Sequence, residues 1–195
     1  MKKYQDHYFK KAKQDKFPAR SVYKLQEIDK RFKLLRTGQN ILDLGATPGS
    51  WALYAARKAG PQGRVLAIDI NDSEVSFPPQ VRFVRGDALD PAEDLRAEID
   101  SRTPFDLVLS DMAPKTTGIK LRDQTRSVEL ALAALALARD VLVPGGATAI
   151  KVFQGPDVPD FLSQMRELFG KVRTCKPKSS RPESTEVFVL GLGRK

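Results

Sequence analysis

The stretch Asn40–Trp51, NILDLGATPGSW, decides the fold. Three apolar residues (Ile41, Leu42, Leu44) frame one acid, Asp43, and the run breaks at Gly45. Pro48 and Gly49 make a tight loop, and Trp51 opens an apolar helical segment, WALYAARKAG. A strand, a glycine turn and a helix in that order aim backbone N–H groups and a helix N-terminus at a ligand beyond the end of a parallel strand.

Downstream of this loop the chain alternates between short apolar runs and helical segments. The runs are Arg64–Ile70, Val81–Val84, Phe105–Ser110, Ala147–Val152, Lys171–Lys176 and Glu186–Leu192. Helices are predicted over Pro91–Ile99, Gln124–Leu142 and Asp157–Phe169, with a loop over Lys115–Asp123 and a turn at Pro144-Gly145-Gly146. Such alternation predicts an α/β doubly wound sheet in a single domain. Upstream, Pro18 and Ser21 mark a helix start, and Val22, Leu25, Ile28 and Phe32 then fall on one helical stripe. Lys24 borders that stripe, where a lysine either snorkels to solvent or reaches into a site beside the packed face.

At 195 residues the chain is long enough for a full core, and its 41% hydrophobic and 29% charged residues are ordinary for a globular protein. The charge is unevenly placed. Residues 1–36 hold 12 Lys/Arg against 4 Asp/Glu, while the remaining 159 residues hold 21 against 20. A localised positive arm suits a polyanion, because each phosphate contact releases condensed counterions, but a solvated arm has the same composition. Tyr4, Tyr8, Phe9 and Phe17 interleave with the lysines, so the arm can either stack on bases or be pinned to the domain.

One cysteine, Cys175, excludes an internal disulfide, and with a single histidine, His7, it cannot build a zinc site; no metal is expected. No apolar h-region opens the chain, and its longest apolar run, Leu130–Ala138, is far short of the roughly 20 residues that span a bilayer. The expectation is a soluble, cytoplasmic protein without a membrane partner.

The loop discriminates among nucleotide ligands. G-x-G-x-x-G is absent, since Gly45 and Gly49 stand four apart with Pro48 between them, and no Gly-Lys-Ser/Thr follows. Acids recur instead, at Asp69 after the second strand and at Asp87 after the third. An acid at the end of the second strand either holds ribose hydroxyls or serves as a turn or cap residue. Acids without a phosphate cradle favour a cationic nucleoside, and S-adenosylmethionine is one.

The segments ARSVYKL, DLGATPGSW, SDMAP, IKVFQG and STEVF stand in order along nearly the whole chain. In them the chain resembles the RrmJ/FtsJ (RlmE) family of S-adenosylmethionine-dependent RNA 2′-O-methyltransferases. The resemblance implies a Rossmann-like class I methyltransferase fold, a seven-stranded, mostly parallel sheet whose last strand runs antiparallel. It implies residues 1–36 as a basic arm and helix packed on a methyltransferase domain of residues 37–195. It further implies that Gly49 and Trp51 contact the methionyl end of the cofactor, Asp69 its ribose and Asp87 its adenine, with Asp111 beside the methyl donor. Lys24, Asp111, Lys151 and Glu186 are implied as a catalytic tetrad. The implied substrate is a uridine of large-subunit ribosomal RNA, met free or in the subunit by a monomeric enzyme. A transfer RNA substrate, or a non-catalytic ribosome-assembly role for the same fold, is the alternative. The family's loop more often reads AAPGGW, so Thr47 and Ser50 depart from it.

The residues support a hydroxyl target. A base-amino methylase usually carries N/D-P-P-Y/F after the fourth strand, where this chain has Ser110-Asp111-Met112-Ala113-Pro114. Cytosine-carbon methylation needs a nucleophilic cysteine, and Cys175 between Thr174 and Lys176 lacks the setting. A lysine such as Lys151 serves a weak hydroxyl nucleophile either as general base or as a charged group that orients it.

Overall fold

In the computed structural model, which describes residues 7–195, thirteen elements follow one another along the chain. They are α1 (His7–Gln14), α2 (Val22–Phe32), β1 (Asn40–Leu44), α3 (Ser50–Ala59), β2 (Arg64–Asp69), β3 (Val81–Arg85), α4 (Glu93–Arg102), β4 (Phe105–Ser110), α5 (Lys120–Val141), β5 (Leu142–Phe153), α6 (Val158–Leu168), β6 (Phe169–Cys175) and β7 (Glu186–Arg194). The strands form one seven-stranded sheet in the order β3-β2-β1-β4-β5-β7-β6. Pairings from β3 to β5 are parallel, and β7 lies antiparallel to both β5 and β6.

Side chains alternate across each strand with a period of two, and this sorts the core into two layers. Leu42, Leu44, Leu66, Ile68, Val108 and Ile150 face α4, α5 and α6. Ile41, Val65, Ala67, Leu107, Leu109 and Phe188 face α2 and α3. Asp43 belongs to the second face by the same alternation, which sets a carboxylate beneath α3 in an otherwise apolar layer.

One open alternative is decided, and two expectations are corrected. Residues 7–14 of the basic arm form a helix, and Tyr8, Ala12 and Phe17 pack with Val22, Tyr23, Leu53 and Tyr54. The arm is thus pinned to the domain by its aromatics, although Phe9 remains 51% exposed; Tyr4 lies outside the described residues. Pro144-Gly145-Gly146 does not separate two elements. It is an excursion inside β5, where the register jumps from Phe105↔Leu142 to Leu107↔Ala147 and Gly145 takes φ +80°. Finally, α5 begins at Lys120 because Asp123 accepts the Thr117 N–H (2.8 Å) and hydroxyl (2.8 Å) and the Gly118 N–H (3.2 Å), which closes the loop onto the first helical turn. Among the described residues no helix is long and apolar enough to cross a membrane.

Candidate active site

Register lines up the chemistry. Leu44 pairs with Ile68 and with Ser110, and Ser110 pairs with Ile150. One residue further along, Gly45, Asp69, Asp111 and Lys151 therefore form a row at the carboxyl edge of the parallel strands. Lys151 pairs with Phe188 across the antiparallel partner, and Glu186 lies two residues beyond Phe188 on the same face. That face is the one α2 covers, so Lys24 arrives from above.

Two ion pairs result. Lys24 Nζ stands 2.6 Å from Glu186 Oε1, with both side chains largely buried. Lys151 Nζ stands 2.9 Å from Asp111 Oδ1 and also donates to the Asp111 carbonyl. Asp111 Oδ1 has no partner at hydrogen-bonding geometry, so the carboxylate contact is electrostatic and the hydrogen bond goes to the carbonyl. Burial pushes the Glu186 carboxyl up, but the Lys24 charge and hydrogen bond, the Ser180 hydroxyl and the Lys151 charge outweigh it. The group is held below the usual glutamate range.

A cavity of about 310 Å³ opens on the other side of Asp111, lined by Asp69, Asp87, Asp111, Gly45, Thr47, Ile70 and Met112 among others. Among the described residues no lysine or arginine lines it. Asp69 and Asp87 also fix their own turns. Asp69 accepts from the Thr47 N–H (2.9 Å) and the Asn71 N–H (2.8 Å), and Asp87 from the Leu89 N–H (2.9 Å). Beneath this row Asp43 is fully buried, and neither of its oxygens meets a donor at bonding geometry. Burial first, then the charges of Asp111 and Asp69, push its carboxyl far above the ordinary range, and the Ala52 N–H offsets this only in part. A cavity walled by mutually repelling acids is matched to a cation of small-molecule size.

Gly49 and Trp51 do not line that cavity. Gly49 caps α3 with φ +110°. The Trp51 indole is buried against Phe188 at 5.5 Å between ring centroids and donates from Nε1 to the Ser21 carbonyl at 2.9 Å. Its side chain thus ties α3 to the start of α2, and only its backbone is left to face a ligand.

Four contributors had no structural role assigned from the sequence. Ser180, 7% exposed, donates its hydroxyl to Glu186 Oε1 at 2.8 Å. Glu27 accepts the Lys178 N–H (2.6 Å) and Ser179 N–H (2.9 Å), clasping the loop that carries Ser180. Ser50, one of the two departures in the loop, accepts the Ala19 N–H (2.8 Å) and donates to the Ala19 carbonyl (3.1 Å). Ile70, 57% exposed, offers an apolar wall to the cavity. Exposed Ile70 directly after Asp69 was a readable signal; the other three depend on contacts between distant segments. Among the described residues no group of three or more His, Cys, Asp or Glu side chains is placed to hold a metal ion.

The family model of FtsJ-like methyltransferases matches residues 17–194. The chain is 56% identical over 195 residues to a ribosomal RNA large subunit methyltransferase E of Oleidesulfovibrio alaskensis, covering 100% of this chain and 94% of that one. It is 53% identical over 193 residues to the protein of the same name in Nitratidesulfovibrio vulgaris, covering 99% and 95%. Among solved structures it is similar to a ribosomal RNA methyltransferase of Plasmodium falciparum, with TM-score 0.78, 26% identity and coverage of 91% and 98%. Aeropyrum pernix fibrillarin, solved with S-adenosyl-L-methionine, shares the fold at TM-score 0.62 and 16% identity, with coverage of 88% and 76%.

Proposed function

The chain belongs to the FtsJ-like methyltransferase family, and we propose that it transfers a methyl group from S-adenosylmethionine to a ribose 2′-hydroxyl, that of a uridine, in large-subunit ribosomal RNA. The observation that carries this reading is the pair of ammonium–carboxylate contacts, Lys24–Glu186 and Lys151–Asp111, set against an acidic cavity that no basic group lines among the described residues. S-adenosylmethionine, when bound, supplies an electrophilic methyl on a positively charged sulfur. The cavity suits that charge: Asp69 and Asp87 are the groups to hold ribose and adenine, Ile70 packs on the base, and Asp111 faces the methyl end.

Lys151 is fastened to Asp111 through both the carboxylate and the carbonyl. In this reading it holds a lone pair of the incoming 2′-oxygen and aligns the hydroxyl with the methyl, and alignment supplies much of the rate. Lys24 and Glu186 hold the same ribose from the other side. The hydroxyl proton, acidified as the new C–O bond forms, leaves to a carboxylate of the cluster or to water. A monomer working in the cytoplasm on the assembled large subunit is part of the same proposal, with the basic face of α1 and the Lys176–Arg181 loop on the RNA backbone.

The test is transfer of labelled methyl from S-adenosylmethionine into the RNA of large ribosomal subunits isolated from cells lacking the gene, with mapping of the modified nucleotide. Lys151→Ala is expected to lose roughly 10²–10⁴-fold in turnover while binding the cofactor within about a factor of two of wild type, read by calorimetry. Retained turnover in that variant overturns the assignment of Lys151. Label in a transfer RNA alone overturns the substrate.

A further inference from the structure

Asp43 is a buried acid near the carboxyl edge that the transfer step leaves unused. Its neighbours across the sheet are Ala67 on β2 and Leu109 on β4, both fully buried. Above it α3 begins, with Gly49 at its cap and Trp51 in its first turn. The Ala52 N–H of that turn acts on the Asp43 carboxyl without closing a well-formed hydrogen bond. Asp43 thus lies under the segment whose backbone faces a ligand beyond β1.

Among the described residues no cation is placed to neutralise it. Lys151 is tied to Asp111, and Lys24 to Glu186. On α3, Arg57 lies over the Phe17 ring, while Lys58 and the Tyr54 hydroxyl engage Asp29 on α2. The charges that do act on Asp43 are those of Asp111 and Asp69, and both repel an anion there. A buried carboxylate with neither a cation nor well-placed donors is costly, so the carboxyl keeps its proton.

We propose that Asp43 is a positioning residue that reads the charge of the methyl donor: protonated in the free protein, it releases its proton when S-adenosylmethionine enters the acidic cavity, and then holds the first turn of α3 as a carboxylate. This rests on the S-adenosylmethionine reading of that cavity. The sulfonium charge offsets the fields of Asp111 and Asp69, which oppose ionisation of Asp43. The Asp43 O–H breaks and its proton passes to water. The carboxylate left behind faces the N-terminal end of α3, where N–H groups without intrahelical partners favour an anion. Methyl transfer turns the sulfonium into a neutral thioether; the carboxylate then regains a proton from water, and the first turn is let go. The site so separates donor from product by charge, although the two share adenine, ribose and amino-acid end.

Proton release is read by titration calorimetry of the full chain in buffers of different ionisation enthalpy, across a series of pH values, with S-adenosylmethionine and with S-adenosylhomocysteine. The amino-acid end is common to both ligands, so its own titration cancels in the difference between them. The donor should release up to about one proton more than the product, and its Kd should fall by up to about tenfold per pH unit where Asp43 titrates. Asp43→Asn should abolish that difference and flatten the pH dependence of the donor Kd, with the product Kd within about twofold of wild type. Infrared difference spectra of the wild-type protein give a second reading that needs no variant. The carbonyl band of a protonated carboxyl should vanish on adding the donor and persist on adding the product. Equal proton release for the two ligands, or a protonated-carboxyl band that the donor leaves unchanged, overturns the proposal while leaving the methyltransferase reading intact. Failure of the wild-type protein to bind S-adenosylmethionine overturns that reading, and the role of Asp43 with it.

Discussion

Replacing Gly45 with alanine tests whether the loop after β1 works by close backbone approach. Gly45 has φ +72°, and a Cβ there would lie 2.8 Å from Met112 Cγ and 2.9 Å from both Met112 Cα and N. The left-handed conformation costs an L-residue about 1–2 kcal/mol. Two of the three contacts are backbone and cannot rotate away, so overpacking adds about 1–3 kcal/mol. Gly38 is the control: φ is +81°, but nothing lies within 4 Å of its virtual Cβ. Gly38→Ala therefore carries only the conformational cost, and the unfolded-chain effect of adding a methyl is common to both. The difference between the variants isolates the Met112 contact at about 1–3 kcal/mol, a gap of roughly 2–12 °C in melting temperature for a chain of this size. Met112 lines the acidic cavity and follows Asp111, so Gly45→Ala should also weaken S-adenosylmethionine binding by about tenfold, whereas Gly38→Ala should not. Differential scanning fluorimetry and calorimetry read both quantities. Equal melting and equal cofactor affinity in the two variants would refute the reasoning.

Ser180→Ala removes one of the donors that hold the Glu186 carboxyl low, and burial then pushes it upward. Activity needing ionised Glu186 is lost as pH falls through its pKa, so the acid limb of the kcat profile should move towards neutrality; an unmoved limb counts against the Ser180 link. Asp43→Asn addresses the opposite shift. A carboxyl raised on folding makes the folded state lose stability as pH rises from the unfolded value through the folded one. The variant should gain in urea midpoint over wild type as pH is raised, and a pH-independent difference would contradict a strained Asp43. Neutralising Lys10, Lys11 and Lys13 on α1 should weaken RNA binding and flatten its salt dependence by up to about three contacts; an unchanged slope would take α1 off the RNA.

The sequence by itself determined the local pieces. The apolar runs in Asn40–Leu44 and Arg64–Asp69 follow from which side chains avoid water, and the break at Gly45 from the one conformation that glycine alone adopts cheaply. The ordered motifs were enough to point to the family and to nominate Lys24, Asp111, Lys151 and Glu186. The tertiary structure decided what those residues touch. Lys24 meets Glu186 because β7 is inserted antiparallel beside β5 and turns its first residue to the carboxyl edge, under α2. Glu27 holds Lys178 across 151 positions, and Ser50 holds Ala19 across 31. Trp51, nominated for the cofactor, spends its side chain on Phe188 and the Ser21 carbonyl. Hydrophobic periodicity is a property of neighbours in the chain and can be read there; ion pairs and clasps between distant segments exist only once strand order and helix packing have brought their partners together.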